Sequence, residues 1–226
     1  MLKIIQNTPT IFQSEDTKTF NKISGYFYIK NNKNIITIDN NIIKIDDIIY
    51  NIYNDNKHIG GNIWLSSLAL ILNLNKNIFN NKKILELGAG VGLLSMYISN
   101  ISKSSIINAS DYDISITNYN ILQNKFNNYN NISINKIDWY NLDDNDNEKY
   151  DIIIACDCVY RTTYKSLLET IKKYLKPYGK LFISNADREN VDEFIYGLQE
   201  FDENIKVVKE RLYYNDKYYI DINIIH

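Results

Sequence analysis

The stretch ILELGAGVGLLSMYI, residues 84–98, sets an acid, Glu86, beside three glycines in five positions, Gly88, Gly90 and Gly92. Glycine reaches positive φ without strain and lets a ligand approach the backbone. A helix beginning just after Gly92 aims its first N–H groups at that ligand. The stretch therefore reads either as a ligand cradle or as a turn between two buried elements. Asp111 follows Gly92 by 19 residues, close to the ~20-residue offset at which an acid takes ribose hydroxyls. The competing role, capping the next helix, suits Asp113 better. Glu86 separates the ligands: an acid there repels a pyrophosphate and attracts a positive charge. The spacing also departs from G-x-G-x-x-G, because Leu93 fills the last place. Acid and spacing together disfavour a nicotinamide dinucleotide. They favour S-adenosylmethionine, which carries an ammonium and a sulfonium and no phosphate.

The elements that must position these residues follow from periodicity. The first 55 residues hold β-rich runs, GYFYIK, NIITID and NIIKIDDIIY, separated by asparagine turns. From Trp64 an apolar pattern predicts a buried helix of about three turns. KKILELG predicts a strand, 93–101 a helix, SSIINASD a strand and about 114–126 a helix. ISINKID and YDIIIACD follow as strands, the latter apolar throughout and so buried on both faces. A helical pattern over 167–175 stops at Pro177, and Gly179 opens the strand KLFISNA. Val191, Phe194, Ile195, Leu198 and Phe201 share one helix face, and the tail is a β-hairpin around Asn215-Asp216. Alternating strands and helices imply an α/β, Rossmann-like, doubly wound sheet, mostly parallel and closed by an antiparallel hairpin. Residues 1–55 form an N-terminal β-ribbon extension and residues 56–226 the ligand-binding domain. Ligands in such sheets lie beyond the carboxyl ends of the strands. Those ends are Glu86–Gly92, Asp111, Asp138-Trp139, Asp157 and the segment from Asn185 to Arg188, and each carries an acid.

Composition narrows the classes. A chain of 226 residues with net charge −2 shows no global electrostatic footprint for nucleic acid. No apolar run reaches the ~18 residues of a membrane span, and the start lacks the pattern of a signal peptide. The two cysteines, Cys156 and Cys158, sit in an apolar run and read as reduced, buried and intracellular, in cytoplasm or nucleus. With two histidines and no second cysteine pair, no metal site is expected. A monomer is the default oligomeric state.

ILELGAGVGLLSMYI, ASDYD and DIIIACDCVY resemble the glycine motif, second-strand acid and fourth-strand motif of class I, seven-β-strand S-adenosylmethionine-dependent methyltransferases. GGNIWLSSLAL resembles the Gly-x-x-x-Trp helix of family 16, and Asp157-Cys-Val-Tyr160 its Asp-x-x-Tyr signature. The resemblance covers roughly 60–200, and that family consists largely of protein-lysine methyltransferases acting on translation factors and chaperones. It implies that Glu86 and the backbone of Gly88, Ala89, Gly90 and Gly92 hold the methionine part. It places Asp111 on the ribose, Tyr112 beside the sugar or base, Asp138 and Trp139 at the adenine edge, and Trp64 at the methionine end. Ala155 and Cys156 pass the cofactor with their backbone. Asp157 and Tyr160 form the catalytic end, where an acid orients the acceptor amine and a tyrosine walls the channel. Arg188 faces the substrate cleft. The implied reaction is methyl transfer to a protein side chain, most often a lysine ε-amine, leaving S-adenosylhomocysteine. The alternatives are a histidine, small-molecule or nucleic-acid acceptor, or a non-catalytic binding scaffold on the same fold. The Asn/Asp-Pro-Pro-aromatic motif of amino-directed nucleic-acid enzymes is absent, as 157–160 reads Asp-Cys-Val-Tyr.

Overall fold

The computed structural model describes residues 3–11, 23–30, 35–39, 41–55, 58–124, 129–160, 163–186, 190–201, 203, 207–215 and 218–225. Strand β6 (Lys83–Leu87) is the middle of five parallel strands, followed by helix α2 (Leu93–Ile101), strand β7 (Ile106–Asp111), helix α3 (Ser115–Gln123) and strand β8 (Ile132–Lys136). The chain then returns to the other side of β6 with strand β9 (Tyr150–Cys156), helix α4 (Thr163–Tyr174), strand β10 (Leu175–Ala186) and helix α5 (Val191–Phe201). Strands β8, β7, β6, β9 and β10 are parallel neighbours in that order. The hairpin of β11 (Val207–Asn215) and β12 (Tyr218–Ile225) continues the sheet, with β12 antiparallel to β10. This is the expected α/β doubly wound architecture.

Alternation along the strands builds its two layers. Leu85, Leu87, Ile153, Ala155 and Ile183 pack under Leu167 and Ile171 of α4 and Phe194 and Leu198 of α5. Ile84, Ile107, Ile152 and Ile154 face α2 and the helix α1 (Leu65–Asn73). Burying each of the leucine, isoleucine and phenylalanine side chains among them contributes about 1.5–3 kcal/mol before its ordering entropy is counted.

Twelve strands pair in one sheet among the described residues, seven in the doubly wound part (β6–β12) and five from the expected N-terminal ribbon. These five are β1 (Lys3–Ile11), β2 (Ile23–Lys30), β3 (Ile35–Asp39), β4 (Ile42–Ile45) and β5 (Ile48–Asn51). β1 joins alongside β11, and β2–β5 add as an antiparallel meander. The hairpin's outer edge offers unpaired backbone groups, and β1 takes them. The run NIIKIDDIIY is split into β4 and β5 by a turn in which Asp46 adopts φ +53, a conformation aspartate tolerates. Strand β10 starts at Leu175 and carries Pro177 inside a bulge, where the missing ladder donor costs little. The helix before it begins at Thr163, not at Leu167. On α5, Phe201 is exposed rather than buried, because the helix ends there and its last turn leaves the core.

Candidate active site

The strand order reverses between β6 and β9, so the carboxyl ends of these two strands open the crevice where such sheets bind ligands. Three glycines leave β6 with positive φ: Gly88 at +67°, Gly90 at +51° and Gly92 at +79°. All three also meet close neighbours. A Cβ on Gly88 would stand 2.6 Å from Cys158 Sγ and 3.5 Å from the Trp139 ring. One on Gly90 would stand 2.7 Å from the Gly60 carbonyl oxygen, and one on Gly92 3.1 Å from a Thr117 methyl. The loop is thus packed between the 58–62 segment, the β8 exit and the β9 exit. Ala89, buried, donates its N–H to Ser110 O at 2.9 Å and accepts from the Gly92 N–H at 2.8 Å.

Two acids face this loop, Glu86 buried and Asp111 half-buried. Glu86 is 4% exposed and accepts a short hydrogen bond from Ser95 Oγ on α2. Burial pushes its carboxyl up to about 7, against the Ser95 hydrogen bonds that lower it. Asp111, at the end of β7, accepts from the Gly90 N–H at 2.8 Å through Oδ2 and from the Asp113 N–H at 3.3 Å through Oδ1. Burial raises its pKa too, and those backbone donors oppose the rise. Among the described residues neither acid forms an ion pair. A pair of desolvated carboxylates without a counter-ion is what a cationic ligand relieves. Asp113 supports the start of α3 by accepting from the Ser115 N–H at 3.0 Å, the capping duty the sequence assigns away from Asp111.

The remaining residues singled out by sequence lie around this loop at varying depth. Trp139 is half-buried against the Gly88 side, while Asp138 accepts from the Tyr140 N–H at 3.0 Å. Tyr112 is 63% exposed, with Lys136 Nζ 4.5 Å from its ring centroid. Cys156 ends β9, half-buried, and burial drives its thiol well above the usual range, away from the nucleophilic thiolate. Trp64 occupies the N-cap of α1, where its carbonyl accepts from the Ser67 N–H and hydroxyl at 3.1 and 2.7 Å. Arg188 lies outside the described residues.

Asp157 follows β9 with φ +54, buried, its N–H bonded to Ser184 O and its Oδ1 accepting from the Ala186 N–H at 3.2 Å. Its carboxylate is thus tied to β10. Tyr160, half-buried, closes the same loop through Thr163. A non-glycine residue in the left-handed region costs about 1–2 kcal/mol, so neighbours must hold the loop. Asn185, fully buried at the end of β10, accepts from the Val159 N–H at 2.9 Å and donates to Val159 O at 3.1 Å and Ala186 O at 2.9 Å. Thr163 Oγ1 accepts from the Tyr160 N–H and has Tyr160 O at 2.6 Å and Cys158 O at 3.0 Å to share its single proton.

Sequence reasoning passes over Ser95, Thr117, Asn120, Thr163 and the side chain of Asn185. The signal for the α3 pair was a polar stripe, Thr117, Asn120 and Asn124, at helical spacing, all fully buried in the structure. In a chain this rich in asparagine it merges with the background.

The sequence pattern of the lysine methyltransferase family matches residues 44–201. EEF1A lysine methyltransferase 3 of Xenopus tropicalis is 25% identical over 140 residues, 61% of this chain and 62% of its own. Methyltransferase-like protein 23 of Dictyostelium discoideum is 33% identical over 163 residues, 61% of this chain and 64% of its own. The chain thus spans less than two thirds of the length of either relative. Among solved structures, a precorrin-6y C5,15-methyltransferase from Geobacter metallireducens superposes with a TM-score of 0.58 at 13% identity, covering 77% of this chain and 91% of its own. The fibrillarin pre-rRNA processing protein of Methanococcus jannaschii gives 0.50 at 20% identity over 97% and 98%. At such identities these two neighbours speak for the fold alone. The match over 44–201 takes in the glycine loop, Glu86 and Asp111, and the Asp157–Tyr160 loop, and the chain belongs to the lysine methyltransferase family.

Proposed function

We propose that the protein is an S-adenosylmethionine-dependent methyltransferase that modifies a protein side chain, a lysine ε-amine of a translation factor or chaperone-type partner. The observation that carries this reading is the pair of acids with no ion pair among the described residues, buried Glu86 and half-buried Asp111, set on a glycine loop at the sheet's switch point. Family membership and a relative named for lysine methylation of EEF1A support the acceptor class. The residues fit the cofactor. Glu86 suits its ammonium, the loop's positive-φ glycines admit its backbone-hugging end, and Asp111 suits ribose hydroxyls. Trp139 supplies an aromatic surface beside Gly88 for the adenine, with Asp138 next to it, Tyr112 near the sugar and Trp64 toward the methionine end.

When bound, S-adenosylmethionine supplies the methyl group from a sulfonium, and the chain's own residues do the positioning. Asp157, held by the Ala186 N–H, attracts and orients the acceptor nitrogen, and the half-buried ring of Tyr160 walls its approach. An in-line transfer gains most from such orientation and from exclusion of water. Asp157 also raises the pKa of a nearby ammonium, so its part is orientation rather than proton removal. The chain is organised as a 1–55 ribbon extension and a 56–226 catalytic domain, and its two free thiols suit the cytoplasm.

The test is transfer of a labelled methyl group to host-cell lysate, with Asp157→Ala alongside the wild type. We expect label in protein, recovered as methyl-lysine, and its loss in the variant while S-adenosylhomocysteine affinity stays within about threefold. Label recovered as methyl-histidine, or only in nucleic acid or small metabolites, would overturn the acceptor assignment. An Asp157→Ala protein that loses cofactor affinity would overturn the division of roles.

A further inference from the structure

Helix α3 contributes no residue to the crevice by sequence reasoning, yet one face of it holds the glycine loop and the N-terminal ribbon together. Asn120, fully buried, donates from Nδ2 to Val91 O at 3.0 Å and to Tyr53 O at 3.1 Å, and accepts the Tyr53 N–H on Oδ1 at 2.8 Å. One turn earlier, Thr117 Oγ1 donates to Gly90 O at 2.6 Å, and its methyl lies where a Gly92 Cβ would meet it. One turn later, Asn124 makes a similar clamp on the ribbon, accepting from the Asn51 N–H at 2.9 Å and donating to Asn51 O at 2.8 Å, with its second amide hydrogen on Asn120 O at 2.7 Å within α3.

Asn120 therefore uses its acceptor and both donors on two separate backbones. Consecutive loop carbonyls, Gly90 O and Val91 O, are thus both bonded to α3. The same grip places the segment after β5, where Asp55 N–H bonds Gly61 O at 2.8 Å and Gly60 lies against Gly90. A Cβ added at Gly60 would stand 3.8 Å from Asp111 Oδ2, at the proposed ribose position. Buried amide groups that satisfy two backbones at once define one geometry and penalise the others.

Resting on the cofactor assignment above, we infer that Asn120, with Thr117, is a positioning residue of the cofactor site. It fixes the glycine loop in its binding conformation and couples it to residues 51–55 and 58–62. Asn124 anchors the ribbon without this coupling. A purely structural role for all three residues makes the opposite prediction, since each loss would lower stability and leave cofactor affinity intact.

The experiment titrates S-adenosylhomocysteine into the full chain by calorimetry and records melting temperatures alongside. Asn120→Ala should weaken binding about tenfold, the equivalent of one or two lost hydrogen bonds. Thr117→Val keeps volume and branching and should weaken it several-fold with little change in melting temperature. Asn124→Ala should lower the melting temperature while affinity stays within about twofold. If Asn120→Ala does not fold, Thr117→Val and Asn124→Ala decide by the same contrast. Wild-type affinity in Thr117→Val and in any folded Asn120→Ala protein overturns the inference and leaves the cofactor assignment standing. No binding to the wild type overturns both.

Discussion

Removing the charge of Glu86 should make the cofactor-free protein more stable, and only at the pH where the residue ionises. Its folded pKa is raised from the ordinary 4.5 to about 7 by burial. The unfolded chain therefore ionises this group first as pH rises. Stability falls between about pH 4.5 and 7, and the deficit is constant above that window. At ~1.4 kcal/mol per pH unit the full deficit is about 3 kcal/mol. Glu86→Gln keeps the shape and an acceptor for Ser95 Oγ, so it removes the deficit without opening a cavity. The expected gain is below about 1 kcal/mol at pH 5 and about 3 kcal/mol at pH 8. For a chain of this size that corresponds to roughly 6–12 °C in melting temperature at pH 8. The assay is denaturant and thermal unfolding of both proteins across pH 5–8 without cofactor. Saturating S-adenosylhomocysteine, which bears the same ammonium, should then stabilise the wild type more than the variant. An equal gain at pH 5 and pH 8 would refute the ionisation argument, since packing alone does not titrate. A less stable Glu86→Gln at pH 8 would refute the claim that the carboxylate is buried at a cost.

Gly88→Ala must fit a Cβ 2.6 Å from Cys158 Sγ at φ +67. It should cost about 1–3 kcal/mol in urea unfolding, and Cys158→Ala in the same chain should recover the steric share but not the backbone share. Asn185→Ala leaves the buried N–H and C=O of Val159 without their partner. It should cost about 1–3 kcal/mol and speed amide exchange at residues 158–160, with exchange in the glycine loop unchanged.

The central features of this protein are legible along the chain because they are local. Gly88, Gly90 and Gly92 announce a loop of positive φ, and Glu86 and Asp111 sit at strand ends that period and apolarity place within a residue or two. The helix over Leu93–Ile101 and the strand Tyr150–Cys156 follow from the same reasoning, since each carries its own hydrophobic signature. Pro177 misled for a related reason: a residue that breaks helices and interior strands locally is harmless in a bulge, and only sheet pairing decides which applies.

What distance along the chain conceals is who touches whom. Nothing near Gly90 shows that Gly60 packs on it from 30 residues away, or that Asn120 would tie Val91 to Tyr53. Asn120, Asn124 and Asn185 look like the asparagines of the polar loops, because a side-chain amide acquires meaning only when folding buries it against a particular backbone. The positions of acids, glycines and apolar runs are set by local sterics and by the hydrophobic effect, both readable from sequence. The assignment of buried polar groups to their partners is a long-range pairing problem, and here only the tertiary structure decided it.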